Sequence, residues 1–353
     1  MIQEIRIKNY LSFRDEVVLS FEATKDTTFE ECQVVNVTPK VRLLRFALVY
    51  GANASGKSNL LNAMDFLRDF WFDKKSDIDE ETGVVPFLLD TETPNEPSEF
   101  NIKFFVGDKR YWYVLVLDDK QVIKEDLYVY NSVQPSLVFS RELDGTASLI
   151  KLNASLVKAN ATIVEQLNVK CLSNMSFFAA RNQVNCSLAY IDEVRDWMKN
   201  NMMPIIEPGT RMFEYAGKQM EKNAELKAYI LDFVHKADYN ITDVYTEREK
   251  VPIPDIVKAS IMEDKDIPEK AKEKMLADNA LERLRTDFQH TVKNKRGEEN
   301  YRLPNSLQSE GTKRTFGIEA AIYEAIKTNG ILPIDEIESS LHPELVEFII
   351  EKF

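Results

Sequence analysis

Gly51-Ala52-Asn53-Ala54-Ser55-Gly56-Lys57-Ser58 fits the pattern G-x-x-x-x-G-K-[ST] without a mismatch. Its flanks narrow the folds open to the chain. Phe46–Tyr50 is an apolar run of the size of a buried strand, and Leu60, Met64, Leu67 and Trp71 recur at helical spacing after the loop. Strand, glycine loop and helix together predict an α/β unit that cradles phosphate. Gly51 and Gly56 allow the backbone to turn tightly and aim successive N–H groups at an anion. The start of the following helix adds a partial positive charge. Lys57 has the reach for β- and γ-phosphates, and the Ser58 hydroxyl is a Mg²⁺ ligand of the right hardness. A bare match to so short a pattern arises by chance; the two flanks give it weight.

The rest of the chain bounds what can surround this loop. It has 353 residues, enough for a large core divided into subdomains. Apolar residues at 44% and charged residues at 29% describe a soluble globular protein. No apolar run approaches the ~18–20 residues of a membrane span, and Met1–Lys8 alternates like a strand, unlike a signal peptide. Cys32, Cys171 and Cys186 are scattered and odd in number, which argues for a reducing cytoplasm and against a disulfide framework or zinc site. His235, His290 and His342 are too dispersed for a metal cluster. A net charge of −13 is unfavourable for a whole-surface nucleic-acid binder. Local basic patches exist at Lys40, Arg42 and Arg45, at Lys293, Lys295 and Arg296, and at Lys313 and Arg314; such clusters are more often solvated surface.

Residues 1–150 read as the first half of the loop-bearing domain with a β-rich lobe. Glu4–Ile7 and Val17–Phe21 read as strands around a turn at Asn9–Asp15. Phe100–Val106 and Tyr111–Leu117 alternate about a hairpin turn at Gly107–Arg110, and Val122–Tyr130 and Leu137–Glu142 continue the pattern. Residues 151–300 read as helical, with stripes at Ile191, Val194, Trp197 and Met198 and at Leu226, Ile230, Phe233 and Val234. Within them, residues 250–285 are dense in charge and broken by prolines, which predicts an exposed helical insertion. Residues 301–353 hold the remaining motifs.

Two of these lie late. Gly330-Ile331-Leu332-Pro333-Ile334-Asp335-Glu336 is a short apolar run ending in two acids. At the carboxyl end of a strand, Asp335 suits Mg²⁺ and Glu336 suits polarisation of water. Read alone, the acids simply open an exposed turn, and Pro333 is unwelcome in a central strand. Ser309-Glu310-Gly311-Thr312 opens a helix with Ile318, Ile322 and Ile326 spaced by four. It is an anion-binding helix start or, on its own, an ordinary cap.

The order of these segments resembles the ABC-class ATPase heads of the SMC and RecF group. Asn53 and Gly56–Leu61 are similar to that group's G-x-N-x-S-G-K-S-N loop, and Ile5, Lys8, Asn9, Tyr10, Ser12 and Phe13 to its N-terminal strand and turn. Gln308–Thr315 and Asp335–Pro343 are similar to the S-x-G-T-x-R and D-E-I-E-x-S-L-H-P segments of bacterial AAA-15/AAA-21 ATPases, relatives of overcoming-lysogenization-defect nucleases and abortive-infection ATPases. The resemblance implies an α/β P-loop NTPase of ABC-head type, with a β-rich lobe and a helical insertion. It implies ATP and Mg²⁺ as cofactors. Asn53, Ala54, Ser55, Gly56, Lys57, Ser58 and Asn59 would hold nucleotide, Ser58 and Asp335 metal, and Glu336 would be the catalytic base. Ser309 and Gly311 would face the γ-phosphate held by Lys57 of a second copy, so that ATP-sandwiched homodimers form and separate. Ser339–Leu341 would cross that dimer interface.

Three departures accompany the resemblance. Pro333 stands where an aliphatic residue is expected. The metal-contacting glutamine has no clear match; Gln166 and Gln183 are the candidates. The family continues to another strand ending in a switch histidine, a role His342 does not fill, so the chain reads as part of a longer polypeptide and as a better ATP binder than hydrolyser. The leading expectation is an ATPase of bacterial anti-phage defence that controls an effector, a nuclease or toxin. The alternative is a RecF-like maintenance ATPase that binds duplex DNA with steep salt dependence. A nucleotide kinase or GTPase shares the loop but gives no reason for Ser309, Gly311 or the late acids.

Overall fold

Alternation of apolar and polar residues over the first 152 residues builds a seven-stranded antiparallel sheet and a separate two-stranded one at residues 34–44. The computed structural model describes residues 1–237, 240–264, 267–277 and 280–351. Its strands are β1 (Ile2–Lys8), β2 (Val17–Ser20), β3 (Val34–Thr38), β4 (Val41–Leu44), β5 (Ser98–Val106), β6 (Lys109–Leu117), β7 (Val122–Tyr130), β8 (Ser136–Asp144), β9 (Ala147–Leu152), β10 (Asp243–Pro252), β11 (Ala280–Asn294) and β12 (Gly297–Pro304). Its helices are α1 (Glu30–Gln33), α2 (Lys57–Phe70), α3 (Ala161–Lys170), α4 (Phe177–Arg181), α5 (Ile191–Asn201), α6 (Met212–Lys222), α7 (Ala224–Lys236), α8 (Asp255–Glu263), α9 (Glu269–Ala277), α10 (Glu310–Thr328) and α11 (Pro343–Ile350).

The chain divides into two compact units, each assembled from separated segments. The first comprises Met1–Glu207 with Lys327–Asp335; the second comprises Pro208–Ile326 and the segment from Glu336 through α11.

In the first unit, seven strands pair in the order β2-β1-β5-β6-β7-β8-β9, all antiparallel. The register lines up Ile5, Ile102, Tyr113, Leu127 and Phe139 across five strands, and all are buried. Helices cover that row. The α2 stripe Leu60, Met64, Leu67 is buried, as is Trp71 just beyond it, and the Trp71 ring meets Tyr113 edge-on at 5.7 Å. Trp197 of α5 stacks on Phe104 at 4.3 Å, and Phe177 of α4 on Phe139 at 4.0 Å. Each fully buried side chain of this size contributes on the order of 1.5–3 kcal/mol. The hairpin at Gly107 forms as expected, with Val106 opposite Lys109 and Gly107 at φ 60°.

The second unit holds a three-stranded antiparallel sheet, β10-β11-β12. Residues 151–300 were expected to be helical; they contain α3–α9 and also β10, β11 and the start of β12. Phe213 of α6 stacks on Phe288 of β11 at 5.5 Å, and Phe316 of α10 meets Phe288 edge-on at 4.9 Å. The charged stretch around 250–285 forms α8 and α9 as the connection from β10 to β11, and α8 buries none of its residues.

One local expectation fails. Phe46–Tyr50 forms no strand; Leu48, Val49 and Tyr50 are 57%, 43% and 92% exposed. The backbone of these residues lies outside every ladder. Apolar composition favours burial, yet a strand also needs a neighbouring chain to take its N–H and C=O groups, and composition does not supply one.

Candidate phosphate cradle and acidic segment

Helix α2 begins at Lys57, with Gly56 as its N-cap in the left-handed region (φ 94°) and no side-chain cap. Ala54 is also left-handed, at φ 62°. Ser55 N donates to Ala52 O at 3.3 Å, and Leu60 N donates to Gly56 O at 3.0 Å, the first bond of the helix. The N–H groups ahead of it therefore have no acceptor within the helix. No acidic residue occupies the first turn. Lys57 Nζ donates to Gly51 O and Ala52 O, both at 3.0 Å, so the ammonium lies over the loop. Left-handed corners, uncapped amides and an adjacent cation together fit a polyphosphate. Asn53, Ala54, Ser55 and Ser58 are exposed, and Gly56, Lys57 and Asn59 are half-buried, so the cradle opens to solvent.

The loop has a backing that its own motif does not reveal. A Cβ on Gly56 would come within 2.8 Å of both the Phe13 ring and Ser12 Oγ. Asn59 Nδ2 donates to Ser12 Oγ at 2.8 Å. The N-terminal turn carried a family resemblance in the sequence but no assigned job; its contact with Gly56 supplies one.

The acidic segment belongs to the same unit as the cradle as far as Asp335. It runs parallel to residues 201–206. Ile331 N donates to Asn201 O, Met203 N to Ile331 O, Ile206 N to Pro333 O and Asp335 N to Ile206 O, at 2.6–3.0 Å. Only two isolated bridges result, Met202 with Ile331 and Ile206 with Ile334, so the expected strand is broken. Pro333 explains part of the gap, because it has no N–H to give to residues 203–205; the Ile205 N–H that would return a bond goes elsewhere. Asp65 of α2 links the two parts: its Oδ1 accepts Ile205 N at 3.2 Å, next to the Ile206 that holds Asp335.

The remaining candidates, Ser309, Gly311 and Glu336, lie in the second unit. Ser309 Oγ accepts Thr312 N at 3.0 Å and pairs with the Thr312 hydroxyl at 2.8 Å, which makes Ser309 the cap of α10. Thr315 Oγ1 donates to Gly311 O at 2.9 Å. A Cβ on Gly311 would meet Ser340 O at 2.6 Å, so the helix start lies directly on the turn after Glu336. That turn is bent: Glu336 and Ser340 have φ of 45° and 62°, and Ser339 N donates to Glu336 O at 2.9 Å. Arg314 Nη2 also donates to Glu336 O, at 3.1 Å, and its Nη1 to Pro208 O at 3.0 Å. Burial lowers the pKa of Arg314, while Glu336 and Glu338 pull it upward. Sequence reasoning counted Arg314 in a basic patch; its pattern position five residues after Ser309 was the available signal for this inward role.

Gln183 and Gln166, the candidates for a metal-contacting amide, line one open pocket with Glu165, Val169, Lys170 and Asn185. His342 caps α11, accepting from Glu344 N at 3.4 Å. Among the described residues no group of His, Cys, Asp and Glu is arranged to hold a metal by itself, and no helix is long and apolar enough to cross a membrane.

No curated protein matches the chain. Residues 46–152 and 206–353 match AAA_21, described as "AAA domain, putative AbiEii toxin, Type IV TA system". The two stretches begin at the apolar run before the cradle and include the capped α10 start and the acidic segment. They span more than half of the chain, which therefore belongs to the AAA_21 family of AAA-type ATPase domains.

Proposed function

We propose that this chain is the ATP-binding head of an ABC-type switch in a bacterial defence system, acting on a nuclease or toxin. Membership of a family whose description names a toxin of type IV toxin–antitoxin systems supports an effector-linked role. The observation that carries the ATP-binding part is the uncapped start of α2 with Lys57 lying over left-handed loop corners.

In this reading the loop amides and Lys57 bind the β- and γ-phosphates, and the Ser58 hydroxyl and Asp335 carboxylate would hold Mg²⁺, which would neutralise charge on the phosphates. Bound ATP supplies the phosphoanhydride bond whose hydrolysis resets the switch. Glu336 orients and deprotonates the attacking water. Arg314 fixes the Glu336 backbone, so the base is set by the same helix whose start carries Ser309 and Gly311. Those two residues complete the site of a second copy, and the joined pair is the active state. The RecF-like alternative draws no support from two of its candidate basic residues, because Arg42 pairs with Glu30 and Lys313 with Glu310 within the chain.

The test is ATP binding by titration calorimetry with and without Mg²⁺, beside light scattering to follow association. Micromolar Mg²⁺-dependent binding lost in Lys57→Ala supports the reading. Absence of nucleotide binding in the parent chain, or tight salt-sensitive duplex DNA binding in its place, overturns it.

A further inference from the structure

Asn9 has no place in the phosphate chemistry above, yet its turn lies behind the cradle. It is a buried polar residue, 1% exposed, with a left-handed backbone at φ 51°. Asn is among the few side chains that tolerate this conformation. Both ends of its amide are used. Nδ2 donates to Thr93 O and Glu96 O, both at 2.8 Å, and Oδ1 accepts Phe87 N at 3.0 Å. Its own carbonyl accepts the Ser98 hydroxyl. One buried amide thus binds residues 87–98 to the turn. Leu11 N donates to Val85 O at 2.9 Å, extending the attachment.

Beyond Asn9 the turn closes on itself. Tyr10 N donates to Phe13 O at 2.9 Å and Phe13 N to Tyr10 O at 2.8 Å. The closed turn holds out two side chains, and both meet the cradle: Phe13 abuts Gly56, and Ser12 Oγ takes the Asn59 amide. Buried amide, closed turn and contact with the loop form a continuous chain of named bonds.

We propose that Asn9 is a positioning residue for the phosphate loop. It locks the Ser12–Phe13 turn as a stop behind Gly56, so the loop keeps its anion-ready shape before any nucleotide arrives. The proposal rests on the nucleotide-binding reading of Gly51–Ser58. The ordering cost of the loop then falls on folding and is absent from binding, which tightens affinity. A buried polar residue with only a stabilising role would lower the melting temperature and leave the affinity of folded molecules unchanged.

The experiment compares the full chain with Asn9→Ala, Asn9→Asp, Ser98→Ala and Ser12→Ala. Mg²⁺–ATP and ADP affinities are measured by calorimetry, and hydrogen exchange of amides 51–60 is measured without nucleotide. Asn9→Ala should weaken both nucleotides at least tenfold, roughly the 1.4 kcal/mol that a factor of ten represents, and should speed exchange in 51–60 while β6 and β7 stay protected. Asn9→Asp turns a donor into a carboxylate facing two carbonyls and should do no better. Ser12→Ala and Ser98→Ala should show the same selective effect at a few-fold. Folded Asn9→Ala with parental affinity and parental exchange overturns the proposal. If Asn9→Ala does not fold, unchanged exchange in both serine variants overturns it. A parent chain that binds no nucleotide, with exchange in 51–60 still governed by Asn9, removes the nucleotide reading and keeps the positioning role.

Discussion

The carbonyl oxygen of Ser340 lies 2.6 Å from where a Cβ on Gly311 would sit. A flexible side chain could move aside, but a backbone carbonyl moves only with its turn, and this turn begins at Glu336. Gly311→Ala should therefore displace the 336–341 turn. We expect ATP turnover to fall at least tenfold while affinity at the Lys57 cradle changes little. Phosphate release and calorimetric titration measure the two separately.

Lys57 contacts only the carbonyls of its own loop among the bonds found for it. Lys57→Ala should cost ATP affinity roughly 100-fold, in keeping with the loss of one or two charge-assisted hydrogen bonds. The melting temperature should stay within a few degrees of the parent. A large loss of stability in scanning calorimetry would give the lysine a folding role instead.

Glu336→Gln removes a base but leaves the cradle and the Arg314 bond to the Glu336 carbonyl in place. ATP binding should persist, and hydrolysis should slow by about 10²- to 10⁴-fold, the range for a positioned general base. ATP-dependent dimers should accumulate in size-exclusion light scattering. Parental turnover would move the role of base to another residue.

Glu125 and Arg141 are both fully buried, at 3.5 Å from each other. Glu125 also accepts from Tyr113 OH, Ser176 Oγ and Phe177 N at 2.7–2.9 Å, and burial pushes its carboxyl pKa up against the pull of Arg141. Glu125→Ala strands a guanidinium in the core. A loss of about 3–5 kcal/mol is expected from breaking a buried pair on one side only, read from urea unfolding. Arg141 keeps its bonds to Leu172 O and Ser173 O, so the α4 start should loosen before that stretch does.

Glu4 accepts from Arg6 Nε at 2.8 Å and Lys103 Nζ at 3.0 Å, and these partners, Arg6 first, hold its pKa down at about 2. A carboxylate depressed in the folded state stabilises above its unfolded pKa near 4.5 and loses that contribution as pH falls toward 2. Glu4→Gln should melt below the parent at pH 6. The gap should narrow steadily below pH 4.5 and close near pH 2 in a melting series. A gap independent of pH would mean that packing, and not charge, is what Glu4 provides.

Local pattern carried much of this fold. The boundaries of β7, the Gly107 hairpin and the buried stripes of α2, α5 and α7 follow from alternation or helical spacing, because each element buries one face. Three things were not legible. In β11, Thr286 and Phe288 are buried while Val292 is 39% exposed, so apolar alternation is too weak to mark a strand, and its first residues fall in the charged stretch 250–285 that reads as a helical insertion. Phe46–Tyr50 looked like a strand because apolarity is written in one segment while pairing needs two. The backing of Gly56 by Ser12 and Phe13 joins residues over forty positions apart, and no local period reports it. In the candidate site, cradle and acids were visible as motifs. The inward turn of Arg314 was signalled only by its place in the S-x-G-T-x-R pattern, because a basic residue by itself looks the same in sequence whether it faces solvent or a carbonyl.

Lys57 already leans on two carbonyl dipoles of its own loop. Any incoming ion has to outbid them. A halide offers one diffuse charge, whereas a polyphosphate presents several oxygens at once and repays the abandoned carbonyls. Selection among anions is in this way built into the resting posture of a single side chain, before shape or base recognition begins.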